Sequence, residues 1–464
     1  MKSIILSLIL ILTAANAALA EHIDTALLDS IAIPVVYIET VDGEEPACDY
    51  VSPPEGSVGA GITNATKVPG RIVMKLRGNI IYDSGDYVKG ESGMTVKIRG
   101  NTSAYGVKKP YKIKLQKKAD MLCRGNDDVY KDKNWVLLTS AWCLNTRIGL
   151  ELSRIMGLQW TPSYRYVNLV MNGDYRGIYN LIESVERNEN CRLNVDAEQG
   201  YIVEMDAYWW NEDVYFDTHF TDAEKRYTFK YPDPDDITEA QIANIKEYVE
   251  NMEVSIDNGT YPDYLDVRSF SVWMLSHDIL GTSDAGGANI YMTRKDNDSK
   301  MLMGNLWDFD TIGYDAEDWA RIHYSDFFYF KKLFASSNRE FTRTYKEVWN
   351  EVKDKAFSGI TAFMDSLVQS DEAVEINKSL VLDARRWDDI NKTVSEQTTN
   401  FREFFATHKP WLDNAISMLD ADNAISAVST CNVCGNEAHN LAGQRVTDAY
   451  KGIIVRNGKK YINR

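Results

Sequence analysis

The hydrophobic pattern of this 464-residue chain changes period at Thr238, and that change constrains the fold more than any other feature. Before it, short runs alternate between apolar and polar residues, as in Thr95-Val96-Lys97-Ile98-Arg99 and Tyr111-Lys112-Ile113-Lys114-Leu115, which is the two-residue period of strands with one buried face. After it, Ile242, Ile245, Val249 and Met252 recur at helical spacing behind a Thr238/Gln241 capping box. Further helical patterns cover Val267 to Leu280, Arg339 to Lys355, Ile360 to Gln369, Ala373 to Arg386 and Val394 to Asp420, with a break or kink expected at Pro410. The expectation is an α+β protein in which a sheet-rich region precedes a helix-rich one.

Within the first region, strands are expected at Ile33 to Glu39, Arg71 to Leu76, Met94 to Arg99, Tyr111 to Leu115 and Gly200 to Asp206. A hairpin is expected from Tyr164 to Met171 and Gly177 to Glu183 about Asn172-Gly173-Asp174. One helix interrupts them, Asn145 to Gly157, with Asn145 as N-cap and Gly157 as stop. The expected sheet is mostly antiparallel. The organisation reads as residues 1–20 a cleaved secretory signal, 21–70 a strand and loop region, 71–236 the sheet-rich lobe, 237–420 the helix-rich lobe and 421–464 a linker with a small β tail.

The chemistry is carried by two acidic motifs at the start of the helical region. Asp284 is followed by Asn289, then by a hairpin over Asn289 to Leu306, then by Trp307-Asp308-Phe309-Asp310. An acid that faces an attacking hydroxyl, and an Asn and a second acid that converge on a metal beside nucleotide phosphates, need this order and a hairpin to bring them together. Taken singly, Asp284 and Asp308 read as turn or helix caps. The opposing charge comes from Arg99, Lys109, Lys112 and Lys114, cations of the kind that steady a polyphosphate; any one of them read singly is a solvated strand edge.

A formal charge of −17 argues against nucleic acid and anionic membrane surfaces as partners. Cys48, Cys123, Cys143 and Cys191 allow one or two disulfides in an oxidising compartment, and Cys431 and Cys434 form a CxxC read as a small disulfide loop or free thiols rather than a zinc site. His277 is expected to be buried. Tyr208-Trp209-Trp210 reads either as a core cluster or as a sugar-binding platform.

The run VKIRGNTSAYGVKKPYKIKLQKK at 96–118, then KNWVLLTSAW, GDYRGIYNLIESVER, GYIVEMD and GNLWDFDTIGYD, resembles the spore coat protein H (CotH) kinase family of secreted or surface atypical protein kinases. The resemblance spans about Ile33 to Asp315. It implies a two-lobed kinase-like fold, ATP and Mg²⁺ as cofactors, and phosphoryl transfer to a protein substrate, usually at Ser. It assigns Asp284 as the catalytic acid, Asn289 and Asp308 as metal ligands with Asp310 assisting, Lys112 or Lys114 as the phosphate-pairing lysine, and Glu151 as the residue that orients it. Adenine is expected near Leu181 to Glu183 or Ile202 to Glu204, although Glu183 and Glu204 also read as ordinary strand-end acids. The chain departs from ordinary kinases in having no GxGxxG loop before the basic strands, which also fits a non-catalytic surface or envelope protein with a pseudokinase fold. The end of the chain, NLAGQRV followed by YKGIIVRNGKKYI, resembles tails of secreted Bacteroidota proteins and implies a secreted or cell-surface location and engagement of sorting machinery.

Overall fold

Seven strands close into a barrel because one of them finds partners on both sides. The computed structural model describes residues 22–55, 57, 59–139, 144–220, 223–282, 289–313, 329–388 and 391–419, with four short strands between 438 and 463. The first sheet contains β1 (Val35–Thr40), β4 (Val68–Leu76), β5 (Asn79–Asp83), β6 (Met94–Ile98), β7 (Tyr111–Ala119), β8 (Asp132–Leu138), β9 (Tyr164–Met171) and β10 (Asp174–Glu183), while β2 (Asp49–Val51) and β3 (Gly61–Thr63) form a separate pair. The order is β1-β9-β10-β8-β7-β6-β4, and β1 also pairs with β4, which completes the ring. β5 adds an outer strand to β4. All these pairings are antiparallel except β1 with β9.

Alternation along each strand decides what fills the barrel. Ile38, Ile72, Met94, Val96, Ile113, Leu115, Trp135, Leu169 and Leu181 form one buried cluster. Lys97, Lys112 and Lys114 occupy the intervening positions, so the basic residues lie on the outer face, with Lys97 directly across from Lys112 in register. Like charges opposite one another on a strand pair are destabilising, so this placement calls for a neutralising partner.

The second sheet crosses the expected lobe boundary at 236/237. Its strands are β11 (Tyr201–Met205), β12 (Tyr215–Phe220), β13 (Ala223–Tyr231), β14 (Ile290–Arg294) and β15 (Met301–Met303), ordered β12-β13-β11-β14-β15. Tyr201, Val203, Met205, Tyr227, Phe229, Ile290 and Met292 are buried in the helical core, and the alternate positions Glu204, Thr228 and Lys230 form a polar face.

The helices are α1 (Asp127–Tyr130), α2 (Asn145–Met156), α3 (Glu239–Asn258), α4 (Val267–Leu280), α5 (Phe330–Ala335), α6 (Glu340–Val368), α7 (Asp371–Trp387) and α8 (Val394–Ser417). The Thr238 box caps α3, and Gly157 ends α2 in a left-handed conformation. Two expectations change. The helices expected at Arg339 to Lys355 and Ile360 to Gln369 are one 29-residue helix, α6, and α8 runs through Pro410 without a break. Burial of Phe401, Phe405, Leu412 and Ile416 on both sides of the proline holds α8 together despite the lost backbone donor. No helix among the described residues is long and apolar enough to cross a membrane.

Met1–Leu419 form one compact unit and Asp420–Arg464 another. In the latter, β16 (Ala438–Asn440), β17 (Arg445–Val446), β18 (Gly452–Arg456) and β19 (Lys459–Asn463) form an antiparallel sheet ordered β17-β16-β18-β19. The signal segment 1–20 and the CxxC lie outside the described residues. Cys48 and Cys191 carry free thiols.

Candidate functional site

Asn289 and Asp308 meet at the end of β14 and just beyond β15. Asn289 Nδ2 donates to Asp308 Oδ2 at 3.3 Å, and both residues hold a left-handed backbone, with φ of 63° and 60°. Non-glycine residues tolerate that region only when the surroundings impose it, and Asn and Asp do so more readily than most. Asp308 is fixed from behind. Asn145 Nδ2 donates to the carbonyls of Phe309 at 3.0 Å and Asp310 at 3.3 Å, and the Asp310 backbone N–H donates to Asp308 Oδ1 at 3.4 Å. Asn145 is therefore not the N-cap of α2. Leu144 takes that position, and the asparagine amide is spent on the acidic motif instead.

The C-terminus of α4 anchors the same region. Gly313 N–H donates to Leu280 O at 3.1 Å, and His277 Nδ1 lies 2.6 Å from Thr282 Oγ1. His277 is buried, as expected, and burial pushes its imidazole down to about 3, so it is neutral at physiological pH. Asp284 lies outside the described residues, as do Ser283 and 285–288.

The polar face of the second sheet supplies the other half. Glu204 Oε1 accepts the backbone N–H of Asn289 at 3.2 Å, and Glu204 Oε2 lies 2.7 Å from Lys230 Nζ. Two residues on, Asp206 accepts Tyr208 N–H at 2.8 Å and Thr228 Oγ1 at 3.0 Å. Burial, then the Glu204 charge, pushes the Asp206 carboxyl up to about 6. Burial pulls the Lys230 ammonium down, but Glu204, Asp206 and Glu212 together hold it above the usual lysine range.

This face meets the outer face of the barrel. Lys112 is pushed down to about 8, first by burial and then by the charges of Lys97, Lys230, Arg99 and Lys114. Lys97 is lowered in the same way, by burial and by Lys67. Arg99 also acts on Tyr291 of β14. Lys97, Arg99 and Lys112 thus crowd one another on this face, and Lys230, with Glu204 as its anion, lies within electrostatic reach of Lys112.

The structure pairs Asn289 with Asp308 and sets Arg99 within electrostatic reach of Lys112, with Lys114 further out on the exposed part of β7. It directs others elsewhere. Lys109 Nζ donates to Ala104 O at 2.8 Å and contacts the Tyr50 hydroxyl and ring. Glu151 pairs with Arg154 at 3.2 Å on its own helix; the carboxylate that meets a lysine of the site is Glu204. The Asp310 side chain is exposed, and its backbone does the bracing. Glu183, a candidate for the adenine edge, is buried with Arg124 at 2.8 Å and Ser163 N–H at 2.8 Å. Tyr208 and Trp210 pack against Gly59 and Gly61, so the aromatic triplet joins loops rather than forming an open platform.

Lys97, Lys230 and Asp206 were missing from the residues singled out in the sequence. The alternation of Tyr227, Thr228, Phe229 and Lys230 carries a strand signal that points to the lysine's face.

Asn289 and Asp308 fit Mg²⁺. Both offer hard oxygen donors, and Mg²⁺ is ordinarily held by one or two carboxylates, with water and phosphate oxygens completing its shell. Among the described residues there is no group of three His, Cys, Asp or Glu able to hold a metal.

The CotH kinase protein family matches residues 96–412, a span that takes in the basic strands, the second sheet, both acidic motifs and most of α8. No curated protein matches the chain.

Proposed function

We propose that this chain, which belongs to the CotH kinase protein family, is a secreted atypical kinase that transfers phosphate from Mg-ATP to a protein side chain, usually Ser. The observation that carries this reading is the Asn289–Asp308 pair, which Glu204 links to Lys230. We read the barrel side and the helical side as the two lobes of a kinase-like fold.

In this reading, Lys112, Arg99 and Lys97 bind the polyphosphate from the barrel side, and Asp308 with Asn289 holds the metal on the other. Mg²⁺, when bound, neutralises charge on the phosphate oxygens. Asp284 orients the acceptor hydroxyl and receives its proton, the role that its place five residues before Asn289 assigns it. The signal segment directs the chain out of the cytoplasm, and the terminal β unit engages sorting machinery.

A ligand that binds only the folded chain stabilises it by about 2.7 kcal/mol at a hundredfold excess over Kd. ATP with Mg²⁺ is expected to raise the melting temperature of the mature protein, and Asp308→Ala to remove the part of that rise that depends on Mg²⁺. An absence of any shift at saturating nucleotide would favour a non-catalytic surface protein built on the same fold.

A further inference from the structure

Glu204 joins Asn289 to the polar face of the second sheet. Its carboxylate accepts the backbone N–H of Asn289 at 3.2 Å through one oxygen, and its other oxygen lies 2.7 Å from Lys230 Nζ. It is 7% exposed, on the central strand of the second sheet, opposite Thr228 of β13 and Tyr291 of β14. Lys230 lies close enough to Lys112 to be felt by it.

Asn289 needs such an anchor. A left-handed asparagine persists where neighbours over-determine it, and the hydrogen bond from its N–H to a carboxylate that is itself paired with Lys230 supplies one such constraint. Glu204 can serve only if its own position is fixed, and Lys230 fixes it. The two are on adjacent strands and the same face, so the pair forms as soon as β11 and β13 register.

We infer that the Glu204–Lys230 ion pair is the positioning element of the site: it sets the backbone of Asn289, and with it the amide beside Asp308. Neither residue is assigned contact with the reacting atoms. The inference rests on the metal and nucleotide reading proposed above.

Calorimetry of ATP binding, with Mg²⁺ and with EDTA, separates the two. The quantity read is the ratio of the affinities, the metal increment. Glu204→Gln frees Lys230 of its anion, so metal-free ATP is expected to bind as tightly as to wild type or several-fold tighter, while the metal increment falls about tenfold or more, the usual effect of removing a residue that orients a metal ligand. Glu204→Asp keeps the charge, so Lys230 is not stranded if Glu204→Gln fails to fold. Its shorter reach is expected to lower the increment with metal-free affinity within about twofold of wild type.

A parallel loss of both affinities in both variants would show a merely structural role and overturn the inference, as would an unchanged increment. If Asp308→Ala abolishes the increment while the Glu204 variants keep it, the inference fails and the site reading stands. If Asp308→Ala leaves it intact, or wild type binds no ATP, both fail.

Discussion

Gly149→Ala is expected to destabilise the protein and to remove its response to Mg²⁺ and ATP, although the same change in an exposed helix would be a gain. Gly149 lies inside α2, where alanine is favoured over glycine by about 1 kcal/mol. Here an added Cβ would sit 2.1 Å from Cδ1 and 2.3 Å from Cε1 of the Phe309 ring, far inside contact distance. Phe309 is 3% exposed and has little room to withdraw. Overpacking of this kind costs about 1–3 kcal/mol, enough to cancel or reverse the helical gain. The functional consequence is larger than the energetic one. Phe309 lies between Asp308 and Asp310, and Asn145, one turn earlier on the same helix, donates to the carbonyls of Phe309 and Asp310. A ring pushed away from α2 takes the left-handed turn at Asp308 with it. Urea unfolding and nucleotide thermal shifts on the variant test both parts. A variant at least as stable as wild type that retains the Mg²⁺-dependent shift would show that the contact between α2 and the acidic motif is dispensable.

That contact also marks where sequence reading reaches its limit. Local signals were accurate where local energetics decide. The alternation in 95–99 and 111–115 became β6 and β7, the Asn172-Gly173 pair became the β9–β10 turn, and the Thr238 box caps α3. Tertiary demands overrode the rest. The helical patterns end at Lys355 and resume at Ile360 in sequence, yet Gly359, between them, lies within α6, where a Cβ would come 2.8 Å from Ile155 Cδ1; the glycine permits close approach of α2 and α6. Asn145 carries every local mark of an N-cap, but buried carbonyls from residues 309 and 310 claim its amide. Closure of the barrel depends on β1 finding β4 and, more than a hundred residues on, β9, a register that no window of sequence records.

The site divides along the same line. Asn289 and Asp308 were legible because a hairpin of fixed length joins them. The Glu204–Lys230 pair was not, because it depends on β11 and β13 becoming neighbours. Glu151 had the residue type that a lysine partner requires, but α2 turns it towards Arg154.

The pH dependence of nucleotide binding isolates Lys112. Its ammonium is pushed down to about 8 by burial and by Lys97, Lys230, Arg99 and Lys114, against an ordinary lysine value of about 10.4. A polyphosphate supplies the missing counter-charge and favours the protonated form, so binding takes up a proton near and above pH 8. Affinity for metal-free ATP is therefore expected to be flat from pH 7 to about 8 and then to fall, by up to about tenfold per pH unit for a single linked proton. Phosphate ionisation does not mimic this, since its second pKa lies near 6. The stability of the nucleotide-free protein moves in the opposite direction. Between about 8 and the unfolded value, the folded chain binds fewer protons at Lys112 than the unfolded chain does, so this residue's contribution to stability rises with pH. Lys112→Arg, which stays charged throughout, is expected to flatten both trends while keeping the cation. Calorimetry in buffers of different ionisation enthalpy counts the proton directly. A wild-type profile that is flat to pH 9.5, or a fall that survives in Lys112→Arg, would remove Lys112 from the nucleotide site.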